Sequence, residues 1–243
     1  MTERTKTEQE PNRIAWWTRQ HAIIMIIGIS STFIEPSGLL LAAMAGASWL
    51  GLIRISRTIK TDQRTPLGFR VLTGLRALIA LGLISELIEP ALSVPLIGLL
   101  LALSLLESFS RGYWPARSRI QALSEQEADN LTLLSLLIAL AHATSAGKMM
   151  LILGLIRPVF VLAAYWNPPT PAPMPQRNGD TTFTTLALWS LASLMIPTFP
   201  QALEYWILSA ASIFWVIPYA RWAISIKRAQ PLSEADQTAP PEK

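Results

Sequence analysis

Long apolar runs separated by short polar or proline-containing breaks dominate this sequence. A transmembrane helix needs about 20 predominantly apolar residues, and such runs occupy residues 22–53, 72–106, 130–166 and 183–226. Each run is broken near its middle, so the pattern predicts about eight membrane segments. With 51 % hydrophobic and 15 % charged residues, the chain is typical of all-α polytopic membrane proteins.

The composition excludes several kinds of site. The chain has no cysteine, which rules out disulfides, a thiol nucleophile and thiolate metal ligands. The net charge of +4 is modest, and the basic residues cluster beside apolar runs, where they indicate membrane topology and lipid contact. We therefore expect membrane lipids and no nucleic acid as partners. The first apolar run lacks a signal-peptide cleavage pattern, so we expect it to be retained.

Basic residues on both sides of the first run predict its orientation. Arg13 and Arg19 precede the run and Arg54 and Arg57 follow it, and cytoplasmic loops collect Lys and Arg. We expect an integral protein of the bacterial inner (cell) membrane with both termini cytoplasmic. The predicted organisation is a cytoplasmic N-terminal segment (1–21), an added membrane hairpin with a basic loop (22–65), a membrane core (66–228) and a disordered cytoplasmic tail (229–243).

Two kinds of polar residue interrupt the apolar runs. Arg157 lies inside an apolar segment, where a charge is costly, so we expect it to point to the protein interior; the alternative is a side chain that snorkels to the interface. His21 and His142 are far apart in sequence and are expected to be packed, hydrogen-bonded residues rather than metal ligands.

The polar stretch from Ser104 to Leu134 carries the strongest chemical signal. Glu125 and Asp129 are four residues apart, so on one helix they share a face and could hold a divalent cation, with Glu107 completing the set. Acids near a helix start are also favoured by the helix dipole and by solvation, without any ligand. Both interpretations stay open on the residues alone.

This stretch resembles the signature of the CDP-alcohol phosphatidyltransferases, D-x2-D-G-x2-A-R-x8-G-x3-D-x3-D. Without gaps, Glu107, Glu125 and Asp129 take the second, third and fourth acids. Ser104 then stands at the first acid and Gln121 at the second glycine.

A gapped alignment keeps Glu125 and Asp129 as the last two acids but changes the start. It puts Glu107 on the first acid and matches Gly112, Ala116 and Arg117 to the Gly, Ala and Arg of the signature. Both alignments retain Glu107, Glu125 and Asp129.

The resemblance extends to other parts of the chain. Residues 69–76 are similar to the opening of the family's first core helix, and residues 154–157 to its arginine-bearing fourth helix. The proline-rich residues 167–182, which include Pro175 and Arg177, are expected to form an extended connection. They are similar to the linker before the fifth helix. The similarity covers residues 66–228 and implies a six-helix core, with residues 22–53 as an added hairpin.

The resemblance implies a divergent enzyme of phospholipid synthesis that moves a phosphoalcohol group from a CDP-linked donor to a hydroxyl acceptor and releases CMP. It implies bound Mg²⁺ or Mn²⁺, with Asp129 as the general base. The implied metal ligands are Glu107, Glu125 and Asp129, and the implied substrate-binding residues are Gly112, Arg117, Arg157 and Arg177. A homodimer is an open possibility.

Departures from the signature favour a second hypothesis. Serine replaces one acid at Ser104, and Gln121 replaces a glycine where the family's nucleotide approaches the backbone. The alternative is therefore a non-catalytic membrane protein on the same scaffold, a partner subunit or lipid-binding element. A secondary transporter is a third class, for which Arg157 is the only evident intramembrane charge.

Overall fold

The computed structural model describes residues 3–34, 38–58, 67–87, 90–111, 119–143, 147–166, 178–196 and 200–238. Within these ranges the chain forms α-helices and one short 3₁₀ helix, and it has no strand, which confirms the predicted all-α class. In chain order the α-helices are α1 (Glu3–Ile34), α2 (Leu39–Thr58), α3 (Leu67–Ile84), α4 (Pro90–Arg111), α5 (Arg119–Ala143), α6 (Ile152–Trp166), α7 (Asn178–Ser193) and α8 (Gln201–Thr238). The 3₁₀ helix, Gly147–Leu151, leads directly into α6.

The breaks between helices follow the breaks in the apolar runs. α1 ends at Ile34 and α2 begins at Leu39, so the first run forms two helices, as predicted. α4 begins at Pro90, where proline is favoured because the first helical N–H has no partner within the helix. In the turn before it, Glu86 has φ of 56°, a left-handed conformation that reverses the chain at a cost to a residue other than glycine.

Two boundaries differ from the sequence predictions. α8 continues to Thr238, although the tail from residue 229 was expected to be disordered. Extending an existing helix requires no new nucleus, so polar residues can continue it. α7 begins at Asn178, inside the stretch 167–182 that was expected to be extended.

Helix α5 lies at the centre of the fold. Every side chain from Glu127 to Ile138 is buried, and α5 packs against α3, α4, α6 and α7. The α1–α2 hairpin covers another side of the bundle, with α1 against α6 and α2 against α3. α5 therefore has two protein-covered sides, which is a requirement for burying charged groups on both.

The outer surface is rich in large apolar side chains. Leu78, Phe109 and Trp206 are among the most exposed. Three helices in the described part of the chain are long and apolar enough to cross a membrane, with spans at Leu39–Ser56, Leu92–Ser110 and Ala202–Trp222. An apolar exterior around an interior with buried charges is the arrangement expected of a membrane protein.

Gly38 allows the turn between α1 and α2 to approach the end of α3. A Cβ atom built on Gly38 would lie 1.7 Å from the backbone oxygen of Ile84. A backbone atom cannot move aside as a side chain can, so the hairpin would have to shift.

We expect Gly38→Ala to destabilise the protein by about 1–3 kcal/mol because it forces this contact apart. Gly98→Ala is the matched control, since a Cβ on Gly98 in the middle of α4 meets nothing within 4 Å and alanine favours the helix. The measurement is the apparent melting temperature in detergent. Equal melting temperatures for the two variants would contradict the close approach.

Candidate buried charge site

Two buried polar clusters lie on opposite sides of α5. The Arg76 cluster consists of Thr73, Arg76, Ser104, Glu107, Gln121, Glu125, Asp129 and Thr132. The Glu127 cluster consists of His21, Ser48, Glu127 and Arg157. Glu127 and Asp129 are two residues apart on one helix, which turns their side chains roughly 200° from each other. One helix therefore supplies acids to both clusters.

The Arg76 guanidinium is the centre of the first cluster. Its Nη1 donates to Glu107, and its Nη2 donates to Asp129 Oδ1 at 2.7 Å. The same Nη2 lies 3.1 Å from Ser104 Oγ and 3.3 Å from Thr132 Oγ1. The side chains of Arg76 and Glu107 are fully buried, and that of Asp129 is 11 % exposed. Arg76 thus joins two acids from different helices in an interior shielded from water.

Glu125 joins this cluster through neutral side chains. Gln121 donates from its amide nitrogen to Glu125 Oε1 at 3.2 Å and lies 3.4 Å from Thr73 Oγ1. Thr73 in turn donates to Glu107 Oε1 at 2.9 Å. Glu107, Glu125 and Asp129, the three acids predicted to act together, therefore belong to one hydrogen-bonded network.

Helical spacing explains why these residues meet. Thr73 and Arg76 are three apart on α3, as are Ser104 and Glu107 on α4, so each pair shares a helix face. On α5 the members recur at intervals of three or four residues: Gln121, Glu125, Asp129 and Thr132. Three polar stripes on neighbouring helices then face one another where α3 begins, α4 ends and α5 begins.

The arrangement does not form a metal cage as it stands. Among the side chains that the structure describes, no group of three or more His, Asp or Glu residues could hold a metal ion. Carboxylate oxygens do suit Mg²⁺ and Mn²⁺, but the Arg76 guanidinium lies between Glu107 and Asp129. The implied divalent cation therefore stays a prediction of the resemblance, and the geometry supplies no support for it.

Glu127 is the centre of the second cluster. Arg157 Nη1 and Nη2 donate to the two carboxylate oxygens of Glu127 in a bidentate pair. His21 Nε2 lies 2.6 Å from Glu127 Oε2, and His21 Nδ1 lies 2.7 Å from Ser48 Oγ. The Trp17 ring stacks on His21 with centroids 4.8 Å apart. The α1–α2 hairpin is thus bound to the core through a buried charge.

Packing brings α6 close enough to α5 for this pair. Gly154 has Leu134 as its nearest neighbour, and a Cβ there would lie 2.5 Å from Leu134 Cδ2. One turn later, Arg157 is 5 % exposed. The prediction that Arg157 points to the protein interior is confirmed, and its partner is a carboxylate of this chain.

The side-chain amide of Asn130, next to Asp129 on α5, is buried without a hydrogen bond in the described part of the chain. Neither atom of its amide has a partner in the described part of the chain, although buried amides are normally paired. A narrow cleft beside it is lined by Thr18, His21, Glu127 and Arg157. A water molecule held there would have polar partners on three helices.

Several predicted site residues lie outside the described ranges, namely Gly112, Arg117 and Arg177. Two charged members of the clusters, Arg76 and Glu127, were not predicted as site residues. Arg76 lies in an apolar run, as Arg157 does, and Glu127 lies off the Glu125–Asp129 stripe. The intramembrane-charge argument applied to Arg157 would also have found Arg76. His142 lies apart from both clusters, 3.1 Å from Glu86 Oε1 near the surface.

Comparison with protein-family models, curated proteins and solved structures finds no match to this chain.

The Glu127–Arg157 pair predicts a non-additive pattern of stability. Glu127→Gln and Arg157→Met should each destabilise the protein by about 3–5 kcal/mol, because the first removes the carboxylate that pairs with Arg157 and the second removes the guanidinium that pairs with Glu127. The double variant should lose much less than the sum, since both charges are removed. Apparent melting temperatures of the four proteins in detergent measure this. Additive losses would show that the two residues are not paired.

Proposed function

We propose that this chain is a divergent CDP-alcohol phosphotransferase of phospholipid synthesis, working in the bacterial inner membrane with the Arg76 cluster toward the cytoplasm. The donor is a CDP-linked alcohol, the acceptor is a hydroxyl compound, and CMP is released. Residues 66–228 would then form the six-helix core, with α1 and α2 as an added hairpin. The reaction, the membrane and the six-helix core are parts of this proposal, whereas the helical fold is observed.

The observation that carries this proposal is the meeting of Glu107, Glu125 and Asp129. They are the three acids at the signature's spacing, and they come from two helices, with Glu107 on α4 and Glu125 and Asp129 on α5. They belong to one hydrogen-bonded network through Arg76, Thr73 and Gln121. This supports the proposal that the three acids act at one site. A solvated group of acids would have no reason to be buried together.

Asp129 is the best candidate for contact with a substrate. Its side chain is 11 % exposed, whereas that of Glu107 is fully buried. In the proposed reaction the acceptor oxygen attacks the phosphorus that bears the alcohol, and the bond from that phosphorus to CMP breaks. Asp129 takes the hydroxyl proton as general base, and CMP leaves with the bonding electron pair.

A second candidate is supported by the position of Arg76. A guanidinium between Glu107 and Asp129 neutralises acids that the family chemistry would use for metal ions, and it fastens α3 to α4 and α5. These features suit a non-catalytic membrane protein, a partner subunit or a lipid-binding element, in which buried ion pairs specify helix arrangement. Catalytic assay separates the two candidates.

The test is CMP release by the full chain, purified in detergent, from a panel of CDP-linked lipids and hydroxyl acceptors with and without Mg²⁺ or Mn²⁺. We expect release by the wild type and a loss of roughly 100-fold or more in Asp129→Asn, because a general base contributes about that factor. Glu86→Gln is the control, since Glu86 lies in the turn between α3 and α4, away from the Arg76 cluster.

Wild-type protein that is folded and releases no CMP from any donor in the panel would exclude the enzyme and leave the non-catalytic candidate. Equal loss in Asp129→Asn and Glu86→Gln would show that the effect is not specific to the Arg76 cluster.

A further inference from the structure

We propose that Arg76 is the resident cation of the acidic centre, so that its guanidinium takes the place that a divalent metal ion would otherwise occupy between Glu107 and Asp129. The inference concerns what neutralises these acids. It does not depend on whether the chain is an enzyme.

The positions around the guanidinium carry the argument. In the ungapped alignment, Ser104, Glu107 and Asp129 stand at the first, second and fourth acids of the signature. All three contact Arg76: Glu107 through Nη1, and Asp129 Oδ1 and Ser104 Oγ through Nη2 at 2.7 and 3.1 Å. Three of the four positions expected to surround metal ions thus surround one guanidinium.

Arg76 Nη2 lies 2.7 Å from Asp129 Oδ1, which is within the range of about 2.7–2.9 Å for a hydrogen bond from a charged nitrogen to oxygen. The Arg76 side chain fills the space between its acids, and no part of it is exposed. A metal ion could enter only if the whole side chain moved away.

Such a movement is expensive in this surrounding. Arg76 is on α3 beside buried Ala77 and one turn before buried Ala80, and a guanidinium withdrawn along that helix would enter an apolar interior without a counter-ion. The guanidinium remains charged at any ordinary pH, so it cannot leave by losing a proton.

The serine at position 104 is consistent with a cation of single charge. An acid there would add a third negative charge next to the guanidinium nitrogen, where a hydroxyl now accepts a hydrogen bond at 3.1 Å. A hydroxyl is a weaker ligand for a divalent ion than a carboxylate. The same substitution that weakens a metal site therefore suits an arginine.

The inference predicts the effect of removing the guanidinium. In Arg76→Gln, the guanidinium no longer fills the space between Glu107 and Asp129, and Mn²⁺ should bind there. Arg76→Lys keeps a positive charge in the same place and is the matched control. Mn²⁺ is the probe because its bound and free forms are distinguished by electron paramagnetic resonance.

The experiment is a titration of the full chain in detergent with Mn²⁺ alone, without any CDP-linked donor. We expect the wild type and Arg76→Lys to have no Mn²⁺ site at Asp129. Any Mn²⁺ that they bind should therefore bind equally well when Asp129→Asn is added. Arg76→Gln should gain a site, and adding Asp129→Asn should weaken that site by roughly tenfold or more. Melting temperatures with and without Mn²⁺ provide a second measurement, with stabilisation expected only in Arg76→Gln.

Binding of Mn²⁺ by the wild type that Glu107→Gln or Asp129→Asn abolishes would overturn the inference, because the metal would then displace Arg76. A folded Arg76→Gln protein with no gain of Mn²⁺ would overturn it as well. If Arg76→Gln does not fold even with Mn²⁺, the wild-type titration decides alone. Absence of CMP release leaves these outcomes unchanged, since the titration contains no substrate.

Discussion

The cost of burying charge is the constraint on which this structure depends. An unpaired carboxylate or guanidinium in an apolar interior costs several kcal/mol. The interior of this bundle contains several carboxylates and two guanidinium groups among the described residues. Arg76 pairs with Glu107 and Asp129, and Arg157 pairs with Glu127. Because each arginine is on a different helix from its acids, the electrostatic requirement also fixes which helices are neighbours.

Helix α5 connects the two clusters. Its acids alternate between two sides, with Asp129 toward α3 and α4 and Glu127 toward α1 and α6. The hairpin of α1 and α2 contributes His21 and Ser48 to the Glu127 side only. The hairpin therefore does more than cover apolar surface. It completes the hydrogen bonding of Glu127, which is two residues before Asp129. Any movement of α5 would disturb both clusters together.

Much of the fold could be predicted because apolar length and its interruptions specify helices in a membrane. The divisions between α1 and α2 and between α3 and α4 follow from the sequence, as does the interior position of Arg157. The pairing of charges did not follow, because spacing along α5 groups Glu125 with Asp129 but gives no information about which helix brings an arginine to them. Arg76 is 53 residues from Asp129 in the sequence. Glu127 was not singled out because its neighbours Glu125 and Asp129 form a regular stripe on the opposite side of α5. The helical tail to Thr238 was missed because a polar composition argues against a packed core and says little about extension of an existing helix.

We infer that the cation between Glu107 and Asp129 is the Arg76 guanidinium and not a metal ion. The test is a crystal structure of the full chain from crystals grown with Mn²⁺, with anomalous scattering recorded for manganese. We expect the Arg76 guanidinium between the two carboxylates and no anomalous peak among them. A peak about 2.0–2.6 Å from oxygens of both Glu107 and Asp129, with Arg76 turned away, would contradict it.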